Sequence, residues 1–134
     1  MLTGIHHVAI AVQSLDTVLP LWTDALGFHL HALEVVEDQR VRVAVLLLGS
    51  QRVELMEPLD EASPITAFLA KRGPGLHHIC LEVEGIAGVL AGLSASGLKL
   101  IDAAPRPGAE GRQVAFVHPK STGGVLIELS EPQA

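Results

Sequence analysis

From His6 to Val12 apolar and β-branched residues run almost without a break, the pattern of a buried strand. A helical spacing follows, with Ser14 or Asp16 placed to cap its N-terminus and Gly27 to stop it. Pro20 falls inside that window and has no backbone donor, so a kink or a late start is expected there. Strands are predicted next at about 28–35, 41–48 and 51–57, the last two joined by the tight turn Gly49-Ser50. Ser63-Pro64 opens a linker helix with an N-cap serine and an N1 proline, running to Lys71-Arg72 and ended by Gly73. The order of periods then begins again. A strand at about 76–83 precedes a helix at 86–96 stopped by Gly97, and strands are predicted near 98–102, 112–118 and 124–130.

The second series is a copy of the first. Gly4-Ile5-His6-His7-Val8-Ala9-Ile10-Ala11-Val12 aligns with Gly75-Leu76-His77-His78-Ile79-Cys80-Leu81-Glu82-Val83 at an offset of 71, and Val43-Ala44-Val45 meets Val114-Ala115-Phe116 at the same offset. Val53-Glu54-Leu55 meets Ile127-Glu128-Leu129 at 74, the extra residues being absorbed by the loop His118–Gly124. The chain therefore reads as one domain over 1–134 built from two βαβββ modules. The first covers about 4–59, the linker helix 63–72 and the second module about 75–131.

Side chains alternate across a strand, which places His7, Ala9 and Ala11 on one face and His78, Cys80 and Glu82 on the matching face of the copy. Glu54 and Glu128 are flanked by Val53/Leu55 and Ile127/Leu129, which must point the other way. A carboxylate inside such a strand is costly to bury without a partner, and a cation answers that cost. Two histidines and two glutamates supply donors that suit a divalent zinc, nickel, cobalt or iron ion. Folding the modules against each other is expected to converge His7, Glu54, His78 and Glu128 on one site. Singly, a histidine on an apolar strand is more often a hydrogen-bonded core residue; it is the recurrence of all four in register that favours metal. His6 and His77 have the wrong parity for that site, and His29 and His31 read as surface residues. Cys80 reads as packing and Glu82 as solvent-exposed at a strand end. The loop Pro119–Gly124 lacks a phosphate-loop spacing, although Lys120 and its neighbouring amides could meet an anion.

Composition narrows the function classes. Hydrophobic residues make up 49% and charged residues 18% of the 134, enough to bury a core. Nine Lys+Arg against fifteen Asp+Glu give −6, and the basic residues do not cluster. With aromatics at 3% and no tyrosine, neither a phosphate-backbone footprint nor a base-stacking platform is present, which excludes nucleic acid as an expected partner. No apolar run approaches a membrane span, and the N-terminal MLTGIHHVAIAV lacks the basic region of a signal peptide. One cysteine, Cys80, fits a reducing compartment, and the cytoplasm is the expected location.

These residues resemble the vicinal oxygen chelate superfamily (glyoxalase, bleomycin resistance, extradiol dioxygenase) and, within it, the methylmalonyl-CoA epimerase family. The segments that carry the resemblance are Ile5–Val12, Glu54–Leu59, Ser63-Pro64-Ile65, Gly75–Ile79, His118-Pro119-Lys120 and Gly124–Leu129. The resemblance implies an α+β fold, two tandem βαβββ modules forming a curved, mostly antiparallel sheet around a metal-binding cavity. It places His7, Glu54, His78 and Glu128 on metal-ligand positions, suggests cobalt with nickel, manganese or zinc as alternatives, and implies a homodimer.

The same resemblance implies epimerisation of an acyl-CoA thioester, methylmalonyl-CoA, at C2 through a stabilised enolate, with Glu128 and Glu54 as the bases. Lys120 and Ser121 are candidates for substrate contact, and Arg106 and Arg112 for the CoA moiety. A further glutamate that some epimerases carry in the strand 41–45 corresponds to Val43, leaving Glu54, or Glu37 or Gln39 with a water, to serve. A glyoxalase I-like lactoylglutathione lyase with the same ligands and a non-catalytic antibiotic-binding protein are the alternatives; an extradiol dioxygenase uses two histidines and one glutamate and fits less well.

Overall fold

Alternation along each strand decides which residues meet the helices. In the computed structural model, which describes residues 1–133, the chain forms two compact units, His7–His77 and Met1–His6 with the chain from His78 onward. The first half contains most of β1 (Leu2–Ala11), then α1 (Leu15–Pro20), β2 (His29–Val36), β3 (Val41–Leu48), β4 (Gln51–Pro58) and α2 (Pro64–Arg72). The second contains β5 (Gly75–Val83, from His78), α3 (Ile86–Ala95), β6 (Arg106–Pro107), β7 (Arg112–Val117) and β8 (Ile127–Pro132). The fold is α+β, with the strand and helix order repeated.

Within the first half the strand order is β2-β3-β4-β1, with β1 parallel to β4 and the other pairs antiparallel. The second half has the order β5-β8-β7-β6, with β5 parallel to β8 and the rest antiparallel. In each half the helix that follows the first strand lies on one sheet face. In the first half Leu15 of α1 packs with Val12, Ala44, Leu46 and Leu55, supported by Ile10, Trp22 and Phe28. In the second, Ile86 and Leu90 of α3 pack with Val83, Ala115, Val117 and Leu129. Apolar burial of this kind contributes about 1.5–3 kcal/mol per large side chain, so the helix-covered faces hold each half together. The opposite faces are left for other residues.

Local signals act as the sequence predicts at most ends. Ser14 Oγ accepts from the Thr17 N–H at 3.4 Å, and Ser63 Oγ accepts from Ile65 at 3.2 Å with Pro64 at the first helical position. At Pro20 the α-helical spacing gives way to a π-helix over Leu21–Ala25, in which Leu26 donates to the Leu21 carbonyl at 3.0 Å. Two predicted strands are corrected. Residues 98–102 form no strand: only Leu100 bridges to Val117, because the Asp102 carboxylate takes the Phe116 N–H at 2.8 Å and bends the chain away, and the short β6 at Arg106–Pro107 pairs instead. The last strand starts at Ile127 rather than 124, because Gly123 and Gly124 have φ of 75° and 101° and close a turn with Gly124 N–H on the Pro119 carbonyl.

The duplication extends to the helix caps. Glu57 on β4 accepts from the Leu15 N–H at 2.9 Å, and Glu131 on β8 accepts from Gly85 and, at 3.1 Å, from Ile86. A carboxylate at a helix N-terminus satisfies open donors and meets the positive end of the dipole. The Ile86 and Gly85 N–H groups hold the Glu131 carboxyl below its ordinary value. Its stabilisation is therefore present above the unfolded-state value and is lost as pH falls through the lower folded one. Glu131→Gln is expected to lower Tm at pH 7, with the gap from wild type closing below about pH 4; a thermal melt series against pH checks this, and a pH-independent gap would contradict it.

Candidate metal centre

On the sheet faces turned away from the helices, four ionisable side chains are buried: His7, Glu54, His78 and Glu128 are each only 5–6% exposed. In the first half β1 turns His7, Ala9 and Ala11 to this face while Ile10 and Val12 go to the helix side. Ala9 pairs with Glu54 across the parallel ladder, and His7 Nδ1 lies 3.2 Å from Glu54 Oε2. The second half repeats the arrangement: Cys80 pairs with Glu128, and His78 Nε2 lies 2.9 Å from Glu128 Oε1. The register of the duplicated strands thus builds one imidazole–carboxylate pair in each half. Different ring nitrogens are used, Nδ1 in one and Nε2 in the other.

A buried carboxylate needs a hydrogen-bond donor or a cation close by. The histidines meet that requirement in each half, and the same atoms are metal donors: imidazole nitrogen and carboxylate oxygen suit divalent ions of intermediate softness. His7 with Glu54 in one half, and His78 with Glu128 in the other, each offer a buried nitrogen and a buried carboxylate oxygen as metal donors. The donor set therefore fits a divalent cation.

The second half adds aromatic and charged neighbours that the sequence reading missed. Phe116 on β7, register partner of Glu128, stands edge-on to His78 with centroids 5.4 Å apart, and the Arg106 guanidinium lies 5.5 Å over the Phe116 ring. Arg112 pairs with Glu82, and its Nε donates to Ser130 Oγ at 2.6 Å. Glu82 was expected in solvent; its side chain is 32% exposed and engaged by Arg112. The signal was available as parity, since Glu82 lies two residues beyond Cys80 and Ser130 two beyond Glu128. Arg106 has Asp102 Oδ1 at 3.3 Å. Both arginines named as CoA contacts thus already hold carboxylates.

The loop residues Lys120 and Ser121 are engaged locally. Lys120 is exposed in the turn after β7, where its N–H donates to His118 Nδ1 at 3.1 Å. Ser121 Oγ accepts from the Lys99 N–H at 2.7 Å, a structural use of that hydroxyl. His29 and His31 are exposed, as expected. His6 and His77 are half-buried, and the His77 ring packs edge-on against Phe68 of α2 at 4.8 Å. Cys80 is buried. Val43 is 2% exposed and lies between Met56 and Glu34, while Glu37 and Gln39 sit in the turn before β3, Glu37 exposed. Among the described residues no helix is long and apolar enough to cross a membrane.

Comparison with known proteins places these features among relatives. Residues 6–116 match the family described as Glyoxalase/Bleomycin resistance protein/Dioxygenase superfamily. The chain is 42% identical to the uncharacterized protein YqjC of Bacillus subtilis (strain 168) over 129 residues, covering 96% of this chain and 92% of that one. It is 38% identical over 133 residues to the ethylmalonyl-CoA/methylmalonyl-CoA epimerase of Cereibacter sphaeroides, covering 98% of this chain and 99% of the relative. A solved methylmalonyl-CoA epimerase in complex with methylmalonyl-CoA and NH4+ superposes with a TM-score of 0.94 at 34% identity, covering 100% of this chain and 97% of that one.

Removing one member of a buried pair takes a hydrogen-bond partner from the other. In metal-free protein, His78→Ala is expected to destabilise the fold by about 1–3 kcal/mol, measured by urea unfolding, and His78→Ala with Glu128→Leu is expected to recover most of that loss. Equal destabilisation in the single and double variants would show that the pair does not act as a unit.

Proposed function

The chain belongs to the Glyoxalase/Bleomycin resistance protein/Dioxygenase superfamily, and we propose that within it the protein is an isomerase that epimerises methylmalonyl-CoA at C2, with His7, Glu54, His78 and Glu128 holding one divalent cation. The observation that carries this reading is the pair of buried imidazole–carboxylate contacts in a chain related over nearly its whole length to methylmalonyl-CoA epimerases. The four-donor set by itself suits a glyoxalase equally well; the named relatives favour the epimerase.

The C2–H of a malonyl thioester is acidified by its neighbouring carbonyl, and the barrier lies in the charge that develops when the proton leaves. A bound divalent cation supplies Lewis-acid stabilisation of negative charge on the thioester oxygen. Glu128, in a site shielded from water and beside Phe116 and His78, accepts the C2 proton. Phe116 and Val45, the register partners of Glu128 and Glu54, wall the two carboxylates with apolar surface. The cation is proposed to be cobalt, the assembly a homodimer and the location cytoplasmic.

In D2O, metal-loaded protein is expected to exchange the C2 proton of methylmalonyl-CoA for deuterium, seen by NMR, and EDTA treatment is expected to stop it. Glu128→Gln is expected to lower the exchange rate by at least about 100-fold with an unchanged circular dichroism spectrum. Full exchange in that variant removes Glu128 from the proton transfer; no exchange with cobalt, nickel, manganese or zinc removes the epimerase reading.

A further inference from the structure

An epimerase for a malonyl thioester has to tell its substrate from acyl-CoA thioesters that lack the second carboxyl group, and a cation held beside the reacting carbon does so directly. Resting on the epimerase reading above, we propose that Arg106 binds the carboxylate carried on C2 of the substrate and so selects a malonyl over a simple acyl thioester.

The residues that carry this assignment all lie in the unit that continues from His78. Arg106 pairs with Val114 at the edge of the sheet. Val114 and Phe116 stand two residues apart on β7, hence on one face, and their partners on β8 are Ser130 and Glu128. Arg106 therefore stands on the face that carries Glu128. Contacts agree with the register: the guanidinium lies 5.5 Å over the Phe116 ring, which meets His78 edge-on at 5.4 Å, and His78 Nε2 is 2.9 Å from Glu128 Oε1. One aromatic ring separates the cation from the imidazole–carboxylate pair to which the proton transfer is assigned.

Asp102 sets the guanidinium in that position. Its Oδ2 accepts the Phe116 N–H at 2.8 Å, while its Oδ1 lies 3.3 Å from Arg106 Nε. One carboxylate is thereby tied both to the Phe116 backbone and to the cation over the Phe116 ring. A guanidinium carries five donors in a planar fork, and it recognises carboxylates at more than one edge. The Arg106 side chain is 33% exposed against 16% for Asp102, so an incoming carboxylate reaches the arginine while its anchor stays covered. The apolar ring on one side of the guanidinium keeps water off that side and strengthens its attraction for an anion.

The other cations of this unit are placed for other tasks. Arg112 shares the face, but its Nε donates to Ser130, a terminal nitrogen pairs with Glu82, and its side chain is only 16% exposed. Lys99 and Lys120 are exposed on segments outside the strands. In the first half the position opposite Val43, the counterpart of Val114, holds Glu34 beyond the bulge at His31. The repeat thus supplies no second cation there. The other anions of an acyl-CoA are the phosphates of CoA, which lie at the far end of the pantetheine arm from C2; with a single ring between Arg106 and His78, the carboxylate is the group within reach.

The test uses full-length, cobalt-loaded wild type, Arg106→Gln and Arg106→Lys. Binding is read by calorimetry for malonyl-CoA and for propionyl-CoA, in which a methyl group replaces the carboxylate. Wild type is expected to bind malonyl-CoA the more tightly. Arg106→Gln is expected to shrink that preference by at least about 10-fold, weakening malonyl-CoA and leaving propionyl-CoA and Tm unchanged; Arg106→Lys, which keeps a cation, is expected to lose less. A wild-type preference in Arg106→Gln would overturn the assignment, and so would equal weakening of both thioesters, the mark of a phosphate contact or a structural role. Wild type that binds the two thioesters alike would overturn it as well. C2 exchange of methylmalonyl-CoA in that protein would leave the epimerase reading standing, and its absence would remove both.

Discussion

A carboxylate buried on a sheet face beside an imidazole is the constraint around which each half is arranged. Glu54 and Glu128 sit in strands whose neighbours, Leu55 and Leu129, lie in the helix-covered cores. Because side chains alternate, moving either strand by one residue would drive the glutamate into hydrocarbon and the leucine out of it. The pairs His7–Glu54 and His78–Glu128 are therefore bound to the fold at large: the apolar contacts of α1 and α3 fix the register that makes them. Such pairs give little net stability over apolar replacements.

The two halves share a frame and differ in what decorates it. Positions equivalent by register read Ala9, Ala11, Met56, Val41 and Val45 in the first half and Cys80, Glu82, Ser130, Arg112 and Phe116 in the second. The first face is apolar around its one pair, whereas the second carries the Glu82–Arg112–Ser130 network and the Arg106–Phe116–His78 stack. Duplicating a sheet yields symmetry in the backbone register, while the side chains on each copy differ.

Much of this was legible in the sequence because it is local or repeated. The strand–helix order, the caps at Ser14, Ser63-Pro64 and Gly73, and the burial of His7, Glu54, His78 and Glu128 follow from period and parity. What escaped depends on contacts between distant segments. No local signal tells that Asp102 captures the Phe116 N–H and so ends the strand expected at 98–102, or that Arg112 reaches Glu82. The bulge at His31 is a similar case: it changes the face of Glu34, and neither glycine nor proline marks it. The donor chemistry is legible in the sequence because the same histidine and glutamate recur in register in both halves.

The proposal of one divalent cation held by His7, Glu54, His78 and Glu128 is tested most directly by metal stoichiometry. Titration of metal-free protein with cobalt, read by calorimetry and by elemental analysis after desalting, is expected to give one ion per chain, with His7→Ala and His78→Ala each abolishing tight binding. Two ions per chain, or tight binding that survives loss of either histidine, would contradict it.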